Sequence, residues 1–333
     1  MNFLAEYGLF FAQTLTLVLA ILIVAAGLLA IFTKGKSRQK LKIEKLNKHY
    51  QEMADFLNEE ILDKKARKKA AKKAKLAKKE HKHERNVFVL NFHGDIKASA
   101  VETLRKEVTA LLLVASTNDE IIVKLESGGG MVHSYGLAAS QLQRIKEKRI
   151  PLTICVDKIA ASGGYLMACV ADKILAAPFA IIGSIGVVAQ LPNFNRLMKR
   201  SHIDYEMITA GQYKRTLTLL GKNTKEGREK FQEDVDEIHT HFKNYITEHR
   251  QLDIDTIATG EHWLAKKALE LRLVDHLSTS DDYLLQRSQK ANLYEVSYQR
   301  KSSVLDKLTS AVQAAIEKGI DFCLQRDREG RFY

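Results

Sequence analysis

The sequence is short of the residues that staple or punctuate small folds. Its three cysteines, Cys155, Cys169 and Cys323, are odd in number and widely spaced, a pattern that fits neither a disulfide framework nor a zinc site. Cys155 and Cys169 lie in apolar runs and read as buried thiols. Three prolines and 18 glycines in 333 residues exclude a low-complexity chain, and no internal repeat is found. Charge is missing altogether from residues 7–32, and no Lys or Arg precedes them.

That uncharged run, YGLFFAQTLTLVLAILIVAAGLLAIF, is longer than the roughly 20 residues that cross a hydrocarbon core. A cleaved signal peptide would carry positive charge at its start and a shorter apolar part. Here the basic residues follow the run, at Lys34, Lys36, Arg38, Lys40 and Lys42. The expectation is a retained transmembrane anchor over 7–32 behind a short N-terminus, 1–6. Its basic flank predicts that everything after residue 33 lies in the cytoplasm.

The net charge is +12, but residues 64–85 hold twelve Lys/Arg against two Glu. The remainder of the chain is therefore close to neutral. Residues 33–85 read as a basic helical linker, with Leu46, Tyr50, Met53, Leu57 and Ile61 at helical spacing in its first half. A basic linker of this kind attracts anionic lipid, at about 1 kcal/mol per basic residue near the surface. No Phe, Trp or Tyr interleaves the lysines of 64–85, so nucleic acid is not an expected partner.

From Arg85 onward, strand-like and helix-like segments alternate. Strands are expected at 86–92, 120–126, 151–158 and 205–211, and helices at 99–116, 131–148, 193–200 and 224–250. Such alternation predicts an α/β fold with a mainly parallel sheet. The run IIGSIGVVAQL (181–191) is too short to span a membrane and is broken by Gly183 and Gly186, so it reads as a buried strand and loop.

Two segments carry chemistry. SGGG (127–130) falls between an expected strand and helix, where three glycines leave amides uncovered for an anion. A phosphate loop is excluded, because no Lys-Ser/Thr pair follows at the required spacing. Ser162, in DKIAASGGYLMACVADK, stands among small neighbours. It reads either as a helix cap or as a nucleophile beside the Gly163 amide. The G-x-S-x-G elbow is not met, since residue 160 is Ala. A serine nucleophile needs a base. His133, after the glycine loop, is one choice. Lys214, in AGQYKR, is another, provided burial lowers its pKa.

ASGGYLMACVADKILAAP, IIGSIGV and AGQYKR follow one another in an order that resembles the signal peptide peptidase A (SppA) family of membrane serine peptidases. The N-terminal anchor and basic linker are similar to its SohB-like branch. The resemblance covers roughly residues 86–280 and leaves 281–333 as a C-terminal extension, with an amphipathic helix expected over 302–325. It implies ClpP/crotonase-like stacked βαβ units and a serine endopeptidase of the bacterial inner membrane that needs no cofactor or metal. Its substrates would be membrane-associated peptides or proteins. The implied site is Ser162 as nucleophile, Lys214 as general base, Ser184 as the residue that orients Lys214, and the Gly129 and Gly163 amides as oxyanion donors. Sites of this family are often completed by oligomers, which implies a homo-oligomer. A catalytic domain at or outside the membrane is also implied, against the charge rule.

The chain departs from the family pattern in two places. Gly128 stands where the family has proline, which predicts a looser glycine loop. In WLAKKALELRLVD (263–275), Ala265 and Arg272 replace glycines, which puts the packing there in question. Two other functions remain open on these residues: a crotonase-type acyl-CoA enzyme and a non-catalytic membrane scaffold.

Overall fold

The computed structural model describes residues 40–69 and 85–299, with seven further positions between Gly8 and Leu17. The chain divides into two compact units, Met1–Leu41 with Tyr298–Tyr333, and Lys42–Ser297. In the first unit the positions described between Gly8 and Leu17 are helical, and the Thr14 hydroxyl donates to the Phe10 carbonyl at 2.8 Å. Most of the expected anchor and all of the expected 302–325 helix lie outside the described residues. Among the described residues no helix is long and apolar enough to cross a membrane.

The second unit is built on strands β2 (Asn86–Gly94), β3 (Glu120–Ser127), β4 (Leu152–Val156) and β6 (Lys173–Ala176), all parallel. Helices α2 (Val101–Leu112) and α3 (Val132–Glu147) cross between the first three strands. The chemistry of the strands dictates this. Ile121, Ile122 and Val123 of β3 are consecutive and buried, as is all of β4. A run buried on both faces needs the cover that crossover helices supply. The helices answer with single apolar faces: Val101, Leu104, Val108 and Leu111 on α2, and Tyr135, Ala138, Leu142 and Ile145 on α3.

The sheet also takes in segments beyond 86–280. Strand β10 (Asn292–Gln299) pairs in parallel with β2, and β1 (Lys40–Lys45) lies next to β10. Strand β9 (His276–Leu277) closes the other edge, beside β6. Helix α1 (Leu46–Ile61) follows β1, so the first half of the linker does form the helix its spacing predicts.

The strand expected at 151–158 forms as β4, over Leu152–Val156, and a further short strand follows it. After β4 the chain turns at Asp157 and Lys158 and starts β5 (Ile159–Ala161), which leaves the main sheet. Asp157 fixes that turn by accepting the Ser280 amide at 2.7 Å and the Ser280 hydroxyl at 2.5 Å. Strand β5 meets β3 only at Ser127↔Ala160 and then pairs in parallel with β7 (Ile181–Gly183). Antiparallel to β7 runs β8 (His262–Leu264). This small second ladder carries the site. Helix α4 (Gly163–Ala168) follows β5, and α5 (Asn195–Arg200) lies beyond β7.

No strand forms at 205–211, in contrast to the sequence reading. No helix or strand occurs between α5 and α6 (Lys225–His249). The alternation in YEMITAG finds no sheet edge to pair with, and Ile208 is 96% exposed. Helix α7 (Ile254–Ile257) and α8 (Ala265–Glu270) then lead to β9, and α9 (Ser280–Ser288) to β10.

Arg272 stands at φ +59 just past α8. Its amide donates to the Leu269 carbonyl at 3.0 Å, and the Leu273 amide donates to the Ala268 carbonyl at 2.8 Å. That double closure favours glycine at its left-handed residue. The close packing survives, with Ala265 and Ala268 fully buried, and the departure from glycine is felt as backbone strain at Arg272.

Candidate active site

The register Ala161↔Gly183 fixes the geometry of the site. It places Ser162 and Ser184 at the same step beyond two adjacent parallel strands. Both serines have φ +52. The Ser162 amide donates to the Gly183 carbonyl at 2.8 Å, which holds the two chain segments together at this point. Ser162 has ψ −120, outside the small left-handed region that non-glycine residues normally visit. Backbone held there costs about 1–3 kcal/mol and persists only where its surroundings enforce it.

The strain is not offset by a helix cap. Ser162 precedes α4 but makes no side-chain cap to it, so the capping role open in the sequence is not the one adopted. Among the described residues its hydroxyl has no hydrogen-bond partner. The Gly163 amide is the first of α4 and likewise has no acceptor among the described residues. A first-turn amide of this kind is a ready donor to an anion.

Glycine is required on both sides of the corner. Gly129 has φ +87, and a Cβ there would lie 2.7 Å from both the Gly163 nitrogen and the Ser162 Cβ. A Cβ on Gly163 would run into the ring of Tyr135, which is fully buried and has nowhere to go. The same tyrosine fastens the glycine loop. Its hydroxyl donates to the Asp95 carbonyl at 2.8 Å and receives the Ser127 hydroxyl at 2.5 Å, while Ser127 Oγ accepts the Gly129 amide at 3.0 Å. Gly129 and Gly163 therefore differ from the matched pair expected. The Gly163 amide is open, and the Gly129 amide is held by Ser127.

A cavity of about 760 Å³ opens on this corner, bordered by Gly129, Ser162, Gly163 and Ser184. Its other walls are mainly apolar, from Leu166, Val187, Ile238, Phe242 and Tyr245. The last three share one face of α6 with His241, which also borders the cavity. Their spacing, i, i+3, i+4 and i+7, was a visible signal, though a long polar helix did not suggest a pocket wall. The Tyr245 hydroxyl is buried without a partner among the described residues, and desolvation raises its pKa. The Nε2 of His241 lies 3.7 Å from the Glu237 carboxylate.

Neither expected base borders the cavity. His133 is exposed on the first turn of α3. Lys214 is exposed in the stretch between α5 and α6, with its amide donating to the Gly211 carbonyl at 3.2 Å. Within one copy, Ser162 and Ser184 are brought together and Lys214 is not brought to them. The free thiols Cys155 and Cys169 are buried, and burial pushes each up to about 12, so neither is a thiolate at neutral pH. Among the described residues, no group of three or more His, Cys, Asp or Glu side chains is arranged to hold a metal ion.

Comparison with known proteins finds relatives over most of the chain. Residues 2–142 match the model of the peptidase family S49 N-terminal region, and residues 144–294 match that of peptidase family S49. The chain is 46% identical over 324 residues to "Probable protease SohB" of Haemophilus influenzae, covering 92% of each. It is 45% identical over 305 residues to the protein of the same name from Buchnera aphidicola subsp. Schlechtendalia chinensis, covering 86% of this chain and 100% of that one.

Proposed function

Since the chain belongs to peptidase family S49 and is thereby a peptidase, we propose that it is a membrane-anchored serine endopeptidase with Ser162 as nucleophile. The observation that carries this reading is the strained, uncapped Ser162 beside the open Gly163 amide. A strained backbone conformation that forms no helix cap presents an unpartnered hydroxyl to the cavity. The step of β5 away from the main sheet, onto a second short ladder, supports ClpP/crotonase-like stacked units.

Lys214 is the general base, and a second copy of the chain delivers it. Two features support this. Lys214 is exposed and away from its own cavity, and the stretch that carries it leaves Met207, Ile208, Tyr213 and Leu219 in water. Apolar side chains exposed together mark a contact surface. Covering them with a neighbour would desolvate Lys214, which disfavours its charged form and makes it a base at neutral pH. The Ser184 hydroxyl, at the same step as Ser162, orients the incoming amine.

Neutral Lys214 takes the Ser162 proton as Oγ bonds to the scissile carbonyl carbon. The oxyanion is held by the Gly163 amide, worth roughly 2.7–4 kcal/mol per donor, and by the Gly129 amide once Ser127 releases it. As the C–N bond breaks, Lys214 passes the proton to the leaving amine. Water then attacks the acyl-enzyme with Lys214 again removing a proton, which returns to Ser162 as the acid leaves.

His241 gives a second reading, favoured by its place on the cavity wall of the same copy. Peptide hydrolysis by the detergent-solubilised chain tests both. Ser162→Ala is expected to abolish turnover with the fold intact, and unchanged cleavage would remove Ser162 from the mechanism. Lys214→Arg is expected to be inactive, because arginine stays protonated. Activity in that variant, lost in His241→Ala, would transfer the role to His241.

The anchor is residues 7–32, spanning the inner membrane once, with the basic linker against lipid. From the basic flank we propose the cytoplasmic side for the catalytic unit, against the side that the family resemblance implies. Alkaline phosphatase fused after Tyr333 is then expected to be inactive, and an active fusion would put the unit outside.

A further inference from the structure

Helix α1 is fastened to the sheet at one end only. The Asn47 amide donates to the Ser288 and Ala291 carbonyls, each at 3.0 Å, and its Oδ1 accepts the Leu293 amide at 2.6 Å. Leu46 and Tyr50 pack against the small core around Val87 and Leu293. Beyond Tyr50 the same stripe continues, uncovered among the described residues: Met53 is 53% exposed, Phe56 66%, Leu57 55% and Ile61 74%. The opposite face is polar and internally paired, with Lys48 and Glu52 at 3.2 Å, Gln51 donating to Asp55 at 2.8 Å, and Glu59 joined to Arg67.

We propose that this overhanging half of α1 lies in the surface of an anionic membrane, with Met53, Phe56, Leu57 and Ile61 in the boundary between headgroups and acyl chains. The inference rests on the reading of 7–32 as the anchor, which brings the bilayer within about fifteen residues of Leu46. A helix with one apolar and one charged face, held near a bilayer, lies in the interface plane. Charge favours lipid as the occupant. Immediately downstream come residues 64–85, with twelve Lys/Arg against two Glu, which complement anionic headgroups. A second copy of α1 is the competing occupant, and the test below separates it from lipid.

The test uses the full chain carrying Cys323→Ser, reconstituted in phosphatidylcholine vesicles with about one part in three of phosphatidylglycerol. An environment-sensitive fluorophore is attached at Phe56→Cys or Leu57→Cys, with Asp55→Cys as the opposite-face control. At 56 and 57, quenching by doxyl-labelled lipid is expected, with iodide quenching reduced by about threefold or more relative to 55. Equal iodide quenching at all three positions would overturn the proposal. So would protection at 56 and 57 from both quenchers with self-quenching between labels, which would assign the stripe to a second copy. Vesicle flotation reads the anchor separately. A chain that does not float overturns the anchor and this inference together, whereas a floating chain with 56 and 57 open to iodide overturns this inference alone.

Discussion

The corner at Ser162 and the stretch that bears Lys214 are opposites. Around Ser162 each conformation is enforced: by the Ala161↔Gly183 rung, by glycines without room for a Cβ, and by the Tyr135–Ser127–Gly129 chain of hydrogen bonds. Between α5 and α6 no ladder or helix fixes the backbone, and Ile208 lies in water. On the proposed reading, one copy holds the nucleophile and its nearest donor and a second copy supplies the base, so that activity would require copies to meet.

The sharpest way to break that comparison is to mix two inactive chains. Ser162→Ala and Lys214→Arg are each expected to lose activity by about 10⁴-fold or more. If each site draws on two copies, mixed assemblies recover about a quarter of wild-type hydrolysis, the chance that an intact serine meets an intact lysine. Mixtures as inactive as their components would place both groups in one copy.

Gly163→Ala probes the rigid side. Its methyl meets the Tyr135 ring, so stability is expected to fall by about 1–3 kcal/mol in urea unfolding. Hydrolysis is expected to fall about 10²-fold or more as the amide donor shifts. A variant of normal stability and activity would mean that the corner yields.

Ser162→Gly separates strain from chemistry. It removes the nucleophile while relieving φ +52, so a dead enzyme about 1 kcal/mol more stable than wild type is expected. A loss of stability would show that the serine side chain, not the backbone, is the favourable part. The smallest effect is expected from Arg272→Gly, remote from the cavity. It should gain up to about 1 kcal/mol, with hydrolysis unchanged.

Much of the rigid region was legible in the sequence. The strands around β3 and β4 are continuous apolar runs, and Ser162 and Ser184 fall in motifs whose order resembled a peptidase family. The short strand β5 was hidden, because it lies beyond the run 151–158 that reads as a strand and the anchor of its turn, Ser280, is 123 residues from Asp157. YEMITAG has strand composition, but a strand needs an edge, which local sequence cannot report. The commitment of the Gly129 amide was also out of view, since it depends on a tyrosine side chain crossing from α3. The wall formed by α6 was spelled out in its i, i+3, i+4, i+7 spacing but went unread in so polar a helix.

Because Ser162 and Ser184 leave the β5–β7 ladder at one rung, their hydroxyls are mechanically geared. Slipping either strand by a single residue would turn its whole row of side chains to the other face, carrying one serine off while the other stays. Insertions inside Ile159–Gly183 must therefore be absorbed in the loop between the strands, and the spacing of the two hydroxyls is inherited as a single unit.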